Sequence, residues 1–302
     1  MPAKQKMRRE PARMIAVDWS GAEAKSGQKR HIWVADLWPE RHERPLTLTA
    51  GRTREETAEW LMEAAAETRN LVVGLDFAFS YPAWFVREEC GCGSAADFWS
   101  VAATEGESWM RGAKPWFWGR PGVKKPGEFV ERPERGFRRT DREPLAGIRR
   151  TQPKSPFQVG GAGAVGTGTL RGIPLLQALR RAGFRIWPFE QPALPDAPLV
   201  VEIYPRVFTG DCTKSSAAER ARELRKLMQD EACRKWLRED LLAEAAASED
   251  AFDALLSALG MWRHREQFAH LAQAAEGDER LEGRIWVPHL GAAGRLSASS
   301  GR

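Results

Sequence analysis

Short apolar runs alternate with polar or glycine-rich spacers along this chain, and the period of the pattern changes from one stretch to the next. Met14-Ile15-Ala16-Val17-Asp18 is an apolar run closed by an acid, and Ser20-Gly21 follows as a turn. Residues 31–38 are rich in β-branched and aromatic types, and residues 45–49 alternate as a half-buried strand does. The spacing of these three runs predicts an antiparallel meander. Thr53 is placed to cap a helix over about 54–68, with Trp60, Leu61 and Ala64 or Ala65 on one face. Leu71 to Asp76 is a continuous apolar run closed by a second acid, the pattern of a strand covered on both faces. The N-terminal part thus reads β-β-β-α-β.

Periodicity is weak over 81–154, which is rich in Gly, Pro, Trp and Arg, and residues 152–168 are glycine-rich. A helical pattern returns at about 171–182, and strands are expected at 184–188 and 199–204. The Ala, Leu, Glu and Arg content of 216–247 predicts helix, and Ser248 starts another that runs to about Trp262. Residues 284–287, ahead of Pro288, read as a last strand. No internal repeat is present. The expected organisation is one α/β domain over 14–290 with an insertion at about 81–170. A basic tail at 1–13 and a Gly/Ser-rich tail at 291–302 flank it.

Composition excludes several classes. No apolar run approaches the ~20 residues of a membrane helix. The basic N-terminus lacks the apolar region of a secretory signal. Cys90, Cys92, Cys212 and Cys233 form neither a CxxC pair nor a disulfide framework, so a cytoplasmic protein with reduced thiols and no structural zinc is expected. The formal charge of +5 is unevenly spread: residues 111–154 carry +8, residues 1–13 carry +4, and the remainder carries −7.

That acidic remainder holds the candidate chemistry. Asp18 and Asp76 each close an apolar strand, Glu202 lies between Val201 and Ile203, and Asp250 and Asp253 are spaced to share a helix face. Carboxylates are rarely buried unpaired. Three strands and one helix presenting acids together would make an oxygen cage suited to Mg²⁺ or Mn²⁺. Paired ions of that kind stabilise the attacking and leaving oxygens of a phosphodiester. Taken singly, each acid also has an ordinary reading: Asp250 as a helix-dipole partner, Asp18 as a turn cap, Glu202 as a partner of Arg206.

The runs MIAVDWSGA (14–22), VGLDFAFSYP (73–82), VEIYPR (201–206), EDAFDAL (249–255) and EGRIWVP (282–288) occur in this order. Together they resemble the bacterial and archaeal family called domain of unknown function 429, whose members are described as predicted nucleases with a ribonuclease-H-like fold. The resemblance covers about residues 14–290. It implies a mixed five-stranded sheet with helices on both faces. It also implies that Asp18, Asp76, Asp250 and Asp253 match the acids of the first strand, fourth strand and final helix, with Glu202 matching the Glu of a Glu-x-Tyr-Pro motif.

Two further stretches bear on substrate. Gly161, Gly163 and Gly166 satisfy GxGxxG, but no apolar strand leads in, and Gly168, Gly172 and Pro174 follow where a helix should run, so a dinucleotide site is not expected. Either the stretch forms an anion nest with Arg171 nearby, or it packs closely or flexes. Within the insertion, Trp109, Trp116, Phe117, Trp118, Phe129 and Phe137 are interleaved with cations. Interleaving of this kind suits single-stranded nucleic acid, whereas the same aromatics could simply anchor the excursion to the core.

The leading expectation is therefore a metal-dependent nuclease with Asp18, Asp76, Glu202, Asp250 and Asp253 as metal ligands and catalytic acids. Ser20, Lys114, Arg120, Lys124, Lys125, Gly166, Arg171 and Arg206 are the candidate contacts to nucleic acid. The alternatives are an actin-like ATP-dependent phosphotransferase and a non-catalytic nucleic-acid-binding protein of the same fold.

Overall fold

The structure is a computed structural model that describes residues 10–142, 145 and 152–289. The expected tails, apart from residues 10–13, and the end of the basic insertion at 146–151 lie outside the described residues.

A mixed sheet of six strands forms the centre: β1 (Arg13–Asp18), β2 (Trp33–Leu37), β3 (Leu46–Thr49), β4 (Leu71–Leu75), β5 (Arg185–Ile186) and β6 (Leu199–Glu202). Their order is β3-β2-β1-β4-β6-β5. The β1–β2 and β2–β3 pairs are antiparallel, as the meander pattern predicted. The β1–β4, β4–β6 and β5–β6 pairs are parallel. Edge strand β5, inside the 184–188 run expected as a strand, makes the sheet six-stranded, one more than the resemblance implies. It is short because Trp187 donates to Val200 O and the next residue, Pro188, has no N–H to continue the ladder.

Among the described residues seven longer helices surround the sheet: α1 (Lys25–His31), α2 (Arg54–Glu67), α3 (Ala95–Ser108), α4 (Gly166–Arg181), α5 (Ala217–Leu227), α6 (Glu239–Ala247) and α7 (Glu249–Arg263). Alternate strand residues serve two separate cores. Ile15, Val17, Val73, Leu75 and Val200 face α2, α3 and α4, together with Leu61, Phe98 and Ile173. Met14, Ala16, Val72, Leu199 and Val201 face α5, α6 and α7, together with Leu224, Leu241, Phe252 and Leu255. Both faces are apolar, which is why these strands read as continuous hydrophobic runs.

Several boundaries differ from expectation for identifiable reasons. Strand β1 begins at Arg13, which is 1% exposed because its guanidinium grips both oxygens of Asp36 at 2.9 Å; the basic tail is correspondingly shorter. Residues 216–247 form three helical segments, interrupted where Asp230 caps a new turn by accepting from Ala232 N. Residues 284–287 are not a strand; that segment meets β6 through Trp286 N to Glu202 O at 2.8 Å. Helix α4 begins at Gly166 and runs through Gly168, Gly172 and Pro174. Its glycines permit close packing: a Cβ on Gly172 would stand 2.6 Å from the Phe77 ring.

Three aromatic residues of the insertion are anchors. Trp109, Phe117 and Phe129 are buried with Tyr81, Phe85, Phe98 and Phe157 in one aromatic cluster, so they cannot stack on bases. Ring pairs of this kind add to the burial of large apolar area.

The turn after β1 is locked against the start of α4. A Cβ on Gly21 would lie 2.6 Å from Gly168 N and 2.8 Å from Thr167 C, backbone against backbone. Gly21→Ala should therefore destabilise the protein by ~1–3 kcal/mol in urea unfolding, because neither main chain can give way cheaply.

Candidate active site

The three central parallel strands end together. Val17 pairs with Leu75, and Leu75 pairs with Glu202. Asp76 N donates to Val17 O and Ile203 N to Leu75 O, so the strand ends stay in register where the chains leave the sheet. Asp18, Asp76 and Glu202 thus lie side by side along one edge.

The pleat then separates them. Val17 and Leu75 face the core beneath α2–α4, so Asp18 and Asp76, the next residues, face the other way, towards α7. Val201 already faces α7, so Glu202 turns to the opposite face. Helix α7 lies across β1 and β2. Its N-cap Ser248 accepts from Ala251 N at 3.2 Å and sets Asp250 and Asp253 on the turn nearest the strand ends. Asp18, Asp76 and Asp253 are brought together; Glu202 is not part of that group.

All five predicted acids line one cavity of about 530 Å³, with Trp19, Gly21, Lys154, Gly163, Gly168, Tyr204, Arg206 and Lys214 among its other walls. Asp18 is 8% and Asp253 4% exposed. Burial first, then Asp76, Asp253 and Asp250, holds the Asp18 carboxyl well above the usual carboxylate range. Burial and then Asp253 push Asp76 up to about 8. Burial likewise raises Asp253 to about 6, against the pull of Lys214, whose ammonium is paired with Asp253 Oδ2. The three titrate as an interacting set.

Asp250 sits at the cavity rim and bonds His31 Nδ1 at 2.8 Å across from α1. Glu202 is fully engaged: Arg138 pairs with both its oxygens, and Phe79 N donates to Oε2 at 2.9 Å. Arg138, 1% exposed, also grips Asp141 at 2.7 and 2.9 Å and donates to Glu282 O. Flanked by two carboxylates, its guanidinium is held charged, above its ordinary value, despite burial. Glu202 therefore fastens the insertion to β6, which corrects its expected role as a metal ligand.

The predicted substrate contacts divide. Arg206 lines the cavity, while its Nη1 donates to Cys212 O at 2.6 Å. Ser20 caps the β1 turn by accepting from Ala22 N, and its neighbours Trp19 and Gly21 are the residues that reach the cavity. Gly166 is buried and its N–H donates to Gln158 O, so it offers nothing to an anion. Arg171 is committed to Glu107 at 2.7 Å and to Gly21 O at 2.6 Å, holding the β1 turn from behind. Lys114 donates to Glu89 O, Lys125 lies 6.0 Å from the Trp118 ring, and Arg120 packs beside Gly112; with Lys124 these stand outside the cavity lining.

Lys154, Tyr204, Lys214, His31 and Arg138 were not singled out from the sequence. Lys154 was in reach, as the cation of a glycine-rich loop. Lys214 sits in an irregular polar stretch with no periodicity to orient it.

The donor chemistry fits a hard divalent cation, since it is all carboxylate oxygen. Asp253 Oδ1 is buried without a hydrogen-bond partner, a group left for something to satisfy. No group of three or more His, Cys, Asp or Glu among the described residues is close enough together to hold an ion.

No protein-family model, curated protein or solved structure matches the chain. Among the described residues no helix is long and apolar enough to cross a membrane.

Two outcomes follow from these charges. Ionising Asp76 costs stability, because its folded pKa lies above its unfolded value. The penalty is absent below about pH 4, grows as pH rises, and is complete above about pH 8. Asp76→Asn should leave stability unchanged near pH 4 and raise it at pH 8.5 by an amount on the order of 1–3 kcal/mol, measured by denaturation in chelator. Arg138→Met strands Glu202 and Asp141 in the interior and should cost about 3–5 kcal/mol in the same assay.

Proposed function

We propose that this chain is a metal-dependent phosphodiesterase acting on nucleic acid, built on a ribonuclease-H-like domain. The observation that carries the reading is the convergence of Asp18, Asp76 and Asp253 from two parallel strand ends and one helix into a single cavity. The sheet supports it. Strands β3-β2-β1-β4-β6 form the mixed five-stranded arrangement with helices on both faces that the resemblance implies, and β5 is an added edge. Asp18, Asp76 and Asp253 would hold Mg²⁺ or Mn²⁺, with Asp250 at the rim. A divalent ion held there would supply neutralisation of phosphate charge and polarisation of a phosphodiester oxygen. Lys154 and Arg206 stand in the walls, where they would meet phosphate oxygens, and Trp19 and Gly21 line the same cavity.

A phosphotransferase is the second reading. It is favoured by one observation: the β1 turn and the glycine-rich stretch, through Gly21, Gly163 and Gly168, line the same cavity as the acids. Tight calorimetric binding of ATP with Mg²⁺ would select it.

The nuclease reading is tested with labelled single-stranded, duplex and branched DNA and RNA in Mg²⁺ or Mn²⁺. Cleavage should require the metal and fall by about 10²-fold or more in Asp18→Asn. Wild-type rates retained in Asp18→Asn would contradict the reading.

A further inference from the structure

The backbone of Lys214 is fixed independently of its side chain. Arg220, 5% exposed in α5, donates through Nη1 to Lys214 O, and through Nε and Nη2 to Ala246 O at 3.0 and 2.8 Å. One guanidinium thus straps the loop ahead of α5 to the end of α6, directly before the Ser248 cap of α7. From that strap the Lys214 side chain, 30% exposed, enters the cavity and pairs with Asp253 Oδ2. Its charge also acts on Asp18 and Asp76.

Three carboxyl groups share one ammonium, and Asp253 Oδ1 remains without a partner. The same carboxylate cannot give its full coordination to an ion while it holds an ammonium. Among the described residues no three Asp, Glu, His or Cys side chains stand close enough together to hold an ion. The neighbouring charged groups that face it are Asp18, Asp76, Asp250 and Asp253 from the strand ends and α7, with Arg206 further along the wall.

We propose that Lys214 is a tethered cation that takes the metal position at Asp253 in the metal-free protein and must withdraw for a divalent ion to bind there. It is a positioning residue: it holds the acid cluster together without metal and sets the concentration of ion needed to load the site. The inference rests on the metal reading above. The strap through Arg220 makes it specific, because a fixed backbone keeps the ammonium within reach and makes withdrawal a side-chain rotation.

The test is calorimetric titration of the full-length protein with Mn²⁺, alongside its melting temperature with and without Mn²⁺. Wild type is compared with Lys214→Met, Lys214→Gln and Lys214→Arg. Lys214→Met should bind Mn²⁺ about tenfold tighter or more, melt lower than wild type in chelator, and regain that loss when Mn²⁺ is added. Lys214→Arg should bind no tighter than wild type. Should Lys214→Met fail to fold without metal, Lys214→Gln keeps a donor to Asp253 without the charge and should show the same tightening. Mn²⁺ affinity equal to or weaker than wild type in folded Met or Gln variants overturns the tethered-cation proposal and leaves the metal reading standing. Absence of Mn²⁺ binding in wild type and every variant overturns both.

Discussion

The alternation of side chains across a pleated sheet governs this molecule. Strands β1 and β4 leave the sheet in register, and each carries its acid one residue beyond a core-facing aliphatic. Asp18 and Asp76 are therefore forced onto one face, under the first turns of α7, where Asp253 already points. Burial of carboxyl groups in that wall, with like charges beside them, is costly, and the raised carboxyl pKa values of all three express the cost. Neutralisation by a positive charge beside the group relieves such a penalty. Lys214 supplies part of that neutralisation from within the chain.

The same alternation gives Glu202 a different task. Turned to the other face, it meets Arg138 from the insertion, and Asp141 completes a buried trio. Net stabilisation from such a trio is small against the desolvation of its charges, whereas its geometry is exacting. It fixes where residues 138–141 sit relative to the end of β6. Aromatic packing of Phe117, Phe129 and Phe157 secures the rest of the insertion. The wall of the cavity opposite α7 is thus attached to the sheet by one ion trio and one aromatic cluster, and the acids that face α7 are left for other partners.

Much of this was legible in the residues, and the exceptions have physical causes. Apolar runs closed by Asp18 and Asp76 identified strand ends because both faces of those strands are covered. The spacing of Asp250 and Asp253 identified a shared helix face. Glu202 reads as one of the same group because it too is an acid in an apolar strand, yet Val201 faces α7 and the pleat turns Glu202 to the other side. Arg171 and Gly166 invited a phosphate reading from composition alone, yet Glu107, Gly21 O and Gln158 O satisfy them. Those partners lie 64, 150 and 8 residues away or belong to the turn itself, and no local pattern reveals the distant ones. Lys214 is placed by Arg220 and Ala246, contacts between separate helices that periodicity does not encode. The segment 284–287 has strand-like residues but runs past the end of β6, where one hydrogen bond is all the sheet offers.

The central claim is that the pleat sorts the acids into a metal-holding group of Asp18, Asp76 and Asp253 and a structural Glu202. Anomalous diffraction from crystals soaked in Mn²⁺ tests it directly. The account predicts a peak coordinated by Asp18, Asp76 and Asp253, with Lys214 moved off Asp253 and Glu202 still on Arg138. A peak coordinated by Glu202, or none near these carboxylates, would contradict it.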